Sequence, residues 1–99
     1  MEIEFIRTKV RRKEYVIDAD HLVMLRKYGI TIHDIEQAIL TGEIIETYPG
    51  DLILGFIGEE IPLHVACSYW AEKELLYIRT VYIPDDRWEP DFRTRKKRK

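Results

Sequence analysis

Ninety-nine residues, 45% of them hydrophobic and 34% charged, suffice for one globular domain with a single sheet and two or three helices. No apolar run approaches the roughly 20 residues that a membrane span needs, and the opening MEIEFIRTKV lacks the basic and then apolar order of a secretory signal. The net charge is −2, and a lone cysteine, Cys67, excludes an internal disulfide and points to a reducing cytoplasm.

Residues 2–7 alternate, Ile3 and Phe5 against Glu2, Glu4 and Arg7, which predicts a short N-terminal strand. Residues 14–17, EYVI, read as a second strand or an extended lead-in. Asp18 then opens a helix with Leu22, Leu25 and Tyr28 along its buried stripe, and Gly29 closes it. Thr31 caps a second helix, with Asp34 where a capping-box acid belongs. Ile32, Ile35 and Ile39 carry its apolar stripe, Ala38 lies beside them, and Gly42 ends it. Only Ile30 separates Gly29 from Thr31, so a tight αα-hairpin is expected.

Four segments rich in β-branched and aromatic residues follow: 43–48, 52–57, 61–69 and 75–83. Pro49 and Gly50 centre one turn, and Gly58 with Glu59 suits a two-residue type II′ hairpin. Such a hairpin sets Ile57 across from Glu60, Leu54 from Leu63 and Leu52 from Val65. Across the loop at 71–74, pairing Trp70 with Leu75 sets Ser68 opposite Tyr77, Ala66 opposite Arg79 and His64 opposite Val81. One face is then core: Leu52, Leu54, Phe56, Leu63, Val65, Cys67, Leu76, Ile78 and Tyr82. The other carries His64, Ser68, Tyr77 and Arg79 beside Ile53, Gly55 and Ile57. Beyond Pro84, Trp88 and Phe92 are expected to pack back on the domain. The expected architecture is α+β: an N-terminal strand, an αα-hairpin and a three- to four-stranded antiparallel sheet over residues 1–92, then a basic tail at 93–99.

His64 and Arg79 are the residues with chemistry to offer. Should the chain cut RNA, as the family resemblance described below implies, that chemistry needs a base, a cation for the phosphate and an acid for the leaving oxygen. His64 could serve as base or acid, Arg79 could clamp the phosphate bidentately, and Tyr77 could assist as a donor. The plainer alternatives are a structural hydrogen-bonding role for His64 and cross-strand packing for Tyr77.

Charge is unevenly spread. Of sixteen Lys and Arg, five lie in RTKVRRK (7–13) and six in RTRKKRK (93–99), leaving five against eighteen acids. Arg7, Arg11, Arg12 and Lys13, with Arg95, Lys96, Lys97 and Arg98, would grip a nucleic-acid backbone without reading its sequence. They would equally suit an acidic partner protein. A charged turn and a solvated end are the plainer alternatives. Metal and cofactor are not expected: His64 and Cys67, three apart in a strand, face opposite ways, His21 and His33 lie on different helices, and no Gly-rich phosphate loop occurs. Asparagine is absent and glutamine occurs only at Gln37, which with abundant Glu, Lys, Arg and Ile leans towards a thermophilic source.

The order of strand, two short helices and antiparallel meander is similar to RelE/ParE-type toxins. More specifically, YGITIHDIEQAILTGEIIETYP, LILGFIGEEIPLHVAC and LYIRTVYIPDDRWEPDFRTRKKRK resemble the domain-of-unknown-function family 4258. The likeness covers most of residues 15–99. It is most specific at Gly29-Ile30-Thr31, at residues 42–46, at residues 62–65 and at Val81-Tyr82-x-Pro84 with Trp88. It implies a fold like that of ribosome-dependent RNA-cutting toxins, and with it a ribosome or RNA target and a cognate antitoxin. Members of the family usually open the first helix with His-Ala-x-x-Arg-Met-x-x-Arg-Gly. Here the stretch is DHLVMLRKYG, with Asp20 in place of the histidine and Met24 and Tyr28 in place of the arginines. His21 comes one residue late, a rotation of roughly 100° on a helix.

Two readings follow. One is an RNA-directed, toxin-like protein cutting mRNA on ribosomes, attenuated by its eroded first helix. The other is a non-catalytic module on the same fold that binds nucleic acid or protein through its basic ends.

Overall fold

Ile3, Ile6 and Val10 recur at spacings of three and four, and the N-terminal segment folds as helix α1 (Ile3–Arg11), not as the expected strand. The alternation of Ile3 and Phe5 was too short to outweigh that longer period. Ile6 and Val10 are fully buried, and Lys13, at φ 58°, turns the chain out of the helix. The computed structural model describes residues 1–97. After α1 come β1 (Tyr15–Ile17), α2 (Ala19–Lys27), α3 (Ile32–Thr41), β2 (Glu43–Glu46), β3 (Asp51–Ile57), β4 (Ile61–Trp70) and β5 (Leu75–Tyr82).

The fold class is α+β, with five strands where three or four were expected. Their order is β1-β5-β4-β3-β2; β1 runs parallel to β5 and the other pairs are antiparallel. Asp18 caps α2 by accepting the Asp20 amide, and Thr31 and Asp34 form the full capping box of α3. The expected αα-hairpin does not form the helical layer. α3 lies on β3 and β4 and packs against α1, while α2 leans on β5.

The register of β3 on β4 differs by one residue from expectation. The connection takes three residues, 58–60, with Gly58 and Glu59 both at positive φ, and Ile57 pairs with Ile61. A type II′ turn would need positive φ only at the glycine. Leu54 therefore lies opposite His64, and Leu52 opposite Ala66. One step of slip turns a strand over. Ile53 and Gly55 face the helices with Leu63, Val65, Cys67, Leu76, Ile78 and Val81; Leu52, Leu54 and Phe56 share the other face with His64 and Tyr82. Gly55 lets α3 settle on the sheet, since a Cβ there would lie 2.3 Å from the Ala38 carbonyl oxygen.

The face away from the helices has its own cover. Residues 84–97 leave β5 at the buried Pro84 and fold back as a strap. Within it Trp88 bridges Arg95, the Glu89 amide donates to the Thr94 carbonyl, and the Lys96 amide to the Arg87 carbonyl. No helix among the described residues is long and apolar enough to cross a membrane.

Candidate functional site

His64 is where strap and sheet meet. It has no exposed surface. Its Nε2 lies 2.9 Å from the Phe92 carbonyl oxygen and its Nδ1 3.1 Å from the Tyr82 hydroxyl. A carbonyl can only accept, so Nε2 carries the proton, and Nδ1 accepts from Tyr82. Both nitrogens are thus in use by a neutral ring. Burial lowers its pKa; the bond to Phe92 and the Glu46 carboxylate oppose that shift without cancelling it. Trp88 packs edge-on against the imidazole at 4.4 Å and is itself buried. In this arrangement His64 fastens the strap, and the ring meets no solvent.

Arg79 lies on the same side of the sheet. β4 and β5 shift register between Ala66 and Cys67: Ala66 faces Thr80, Cys67 faces Ile78, and Arg79 is the extra residue. His64 consequently opposes Tyr82, not Val81. Tyr77 is opposite Ser68 as expected, and its hydroxyl lies 3.5 Å from an Asp18 carboxylate oxygen.

The first basic block belongs to the helical layer. Arg7 holds Glu4 at 2.5 Å and the Gly42 carbonyl at 2.9 Å. Arg11 stands 4.0 Å from Glu4, and Arg12 4.0 Å from Glu14. Lys13 reaches the buried Glu36 at 2.6 Å, where the Tyr15 hydroxyl also donates at 2.6 Å. Burial works to raise the Glu36 pKa, but the bonds from Lys13 and Tyr15 and the charges of Lys13 and His33 hold it below the usual carboxylate value. Burial, with the Glu36 bond and charge, pushes the Tyr15 phenol upward.

The second block lies across the opposite face. Arg93 binds Glu43, and Arg95 binds Glu46 through two bonds of 3.0 and 3.1 Å while its guanidinium stacks 4.6 Å from the Trp88 ring. Arg98 lies outside the described residues. Arg87, Arg95, Lys96 and Lys97, with Tyr82 and Trp88, line a groove of about 530 Å³. Tyr82 and Arg95 also wall a smaller cavity that contains Arg79. The cations on this side therefore form one run around Tyr82.

Among the described residues no group of three His, Cys, Asp or Glu is placed to hold a metal ion. Burial and the Asp51 charge push the Cys67 thiol up to about 12, so it stays protonated.

The model of the family described as Domain of unknown function (DUF4258) matches residues 21–83. The chain belongs to that family. No curated protein and no solved structure matches it. In this DUF4258 member the matched span includes His64, Tyr77, Arg79 and Tyr82, while α1 and the strap lie outside it. Tyr82, Arg87 and Glu46 were missed as site residues. The available signal was Arg87-Trp88 between two prolines, an aromatic beside a cation on a short rigid excursion.

Proposed function

We propose that this domain binds RNA through the strap side of its sheet, and that it binds without cutting. The observation that carries this reading is the pairing of a sealed His64 with a run of cations around Tyr82. Lys96 and Lys97 offer charge to phosphates, and Arg79 offers a planar fork matched to a phosphate. His64, the imidazole beneath the strap, has both nitrogens engaged and is not free to take a proton from a 2′-hydroxyl. Single-stranded RNA should bind with an affinity that falls steeply with salt, and the domain should produce no new RNA ends, with or without ribosomes.

A second reading is ribosome-dependent mRNA cleavage in the manner of the RelE/ParE toxins that the chain resembles. One observation favours it: Tyr82 connects His64 to the cavity of Arg79. Cleavage would require the strap to lift from His64. New 3′ ends on translated mRNA, lost in both His64→Gln and Arg79→Gln, would establish this reading in place of ours.

A further inference from the structure

We infer that the Arg79 cavity is a seat for a terminal phosphate of an RNA strand, an inference that rests on the RNA reading above and gives it an end-group preference. Among the described residues, Arg79 differs from Arg87, Arg93 and Arg95 of the strap side in having nothing to hold. Its Nε is buried and has no hydrogen-bond partner among the described residues. None of the ion pairs of those residues includes it. Arg7 also has an unpartnered Nε, but its two terminal nitrogens are engaged by Glu4 and Gly42. A buried donor left unmade costs stability, so Arg79 is a burden on the fold until an anion arrives.

Local geometry is arranged for that anion. The register shift in β5 aims the side chain. Gly50 gives it room, because a Cβ at that position would lie 2.6 Å from an Arg79 terminal nitrogen. Tyr48 and Thr80 are among the residues that line the wall. The two carboxylates nearby are already matched: Glu46 by Arg95, and Asp51 by the Met1 ammonium at 3.0 Å. Neither is left over to neutralise Arg79.

Size selects a group and not a whole nucleotide. The cavity holds about 190 Å³, below the roughly 300 Å³ at which pockets for whole small molecules begin. The Arg79 Nε is buried, and a phosphate monoester at a strand end, which carries chain on one side only, can approach it more closely than an internal phosphodiester can. The cavity adjoins the cationic groove through Tyr82 and Arg95. A strand lying along Lys96 and Lys97 can therefore finish at Arg79. Free phosphate shares the same chemistry.

The test uses fluorescence anisotropy with one short single-stranded RNA carrying a 5′-phosphate, a 3′-phosphate or hydroxyls at both ends. NMR of the Arg79 Nε resonance during addition of inorganic phosphate runs alongside. One phosphorylated strand should bind about tenfold or more tightly than the hydroxyl-ended strand, the size of a charge-assisted bidentate contact. Arg79→Gln should bring that ratio to about one with no loss of thermal midpoint. Gly50→Ala, which pushes on the guanidinium, should shrink the ratio. Equal binding of all three strands, with the Arg79 resonance unmoved by phosphate, overturns the seat. Absence of RNA binding while phosphate still moves the resonance refutes the RNA reading and leaves the seat as a site for free phosphate.

Discussion

The two faces of this sheet are closed by different forces. On one, Ile6, Val10, Ile35, Ala38 and Ile39 press hydrocarbon onto Ile53, Leu63, Val65 and Ile78. On the other, the strap is held by a histidine with both nitrogens bonded, by two Arg–Glu pairs and by Trp88. Apolar burial is non-directional and indifferent to pH, whereas hydrogen bonds and ion pairs answer to protonation and salt. Each face also received one basic block, and carboxylates tie each of them in part. The first is tied into the helical layer by Glu4, Glu14 and Glu36, while the second keeps Lys96 and Lys97 at a groove. Similar charge in the sequence is therefore not similar charge offered to a ligand.

The helical face should be the more expensive one to disturb. Gly55→Val drives a side chain into the Ala38 backbone, and urea unfolding should show a loss of about 4 kcal/mol. A loss below about 1 kcal/mol would mean that α3 does not seat there as described. On the strap face, His64→Ala leaves a cavity beneath Trp88 and strands the Phe92 carbonyl, with an expected cost of about 2–3 kcal/mol. Hydrogen exchange sharpens the contrast. The Glu89 and Lys96 amides of the strap should exchange faster in that variant, while the α3 amides change less.

Acid should separate the faces further. The folded His64 is held neutral with a lowered pKa, whereas the unfolded histidine takes up a proton near pH 6.5. Its contribution is thus fully present above the unfolded pKa and is lost as pH falls below about 6.5. Wild-type stability should decline as pH falls below about 6.5, and His64→Gln should flatten that decline. Glu36 has its pKa lowered as well, so its contribution is lost only at lower pH, below the ordinary carboxylate value. The smallest effect belongs to the half-exposed Arg95–Glu46 pair. Glu46→Gln should cost about 0.5 kcal/mol, and less at high salt.

What the sequence revealed was whatever is decided locally. The capping box of Thr31 and Asp34 lies within four residues, and α3 begins where it says. The β-rich segments became strands for the same reason. The register of β3 on β4 depended on one turn residue, since Glu59 adopts positive φ and adds a step. Gly55, a glycine inside a strand, was the available clue to which face the helix approaches. The strap was the hardest to foresee, because Arg93 and Arg95 find Glu43 and Glu46 about fifty residues away, and no local pattern encodes that pairing. His64 and Arg79 were placed on one side of the sheet by strand pairing. The bulge that aims Arg79, and the Phe92 carbonyl that occupies His64, are tertiary facts.

The most direct test of an RNA-binding strap side is a salt series of single-stranded RNA affinities for two double variants. Lys96→Ala with Lys97→Ala should weaken binding and reduce the log–log salt slope by about 1.4, roughly 0.7 for each phosphate contact removed. Arg11→Ala with Arg12→Ala should leave both slope and affinity unchanged. A reduced slope in the second pair with none in the first, or no RNA binding at low salt by the wild type, would contradict the account.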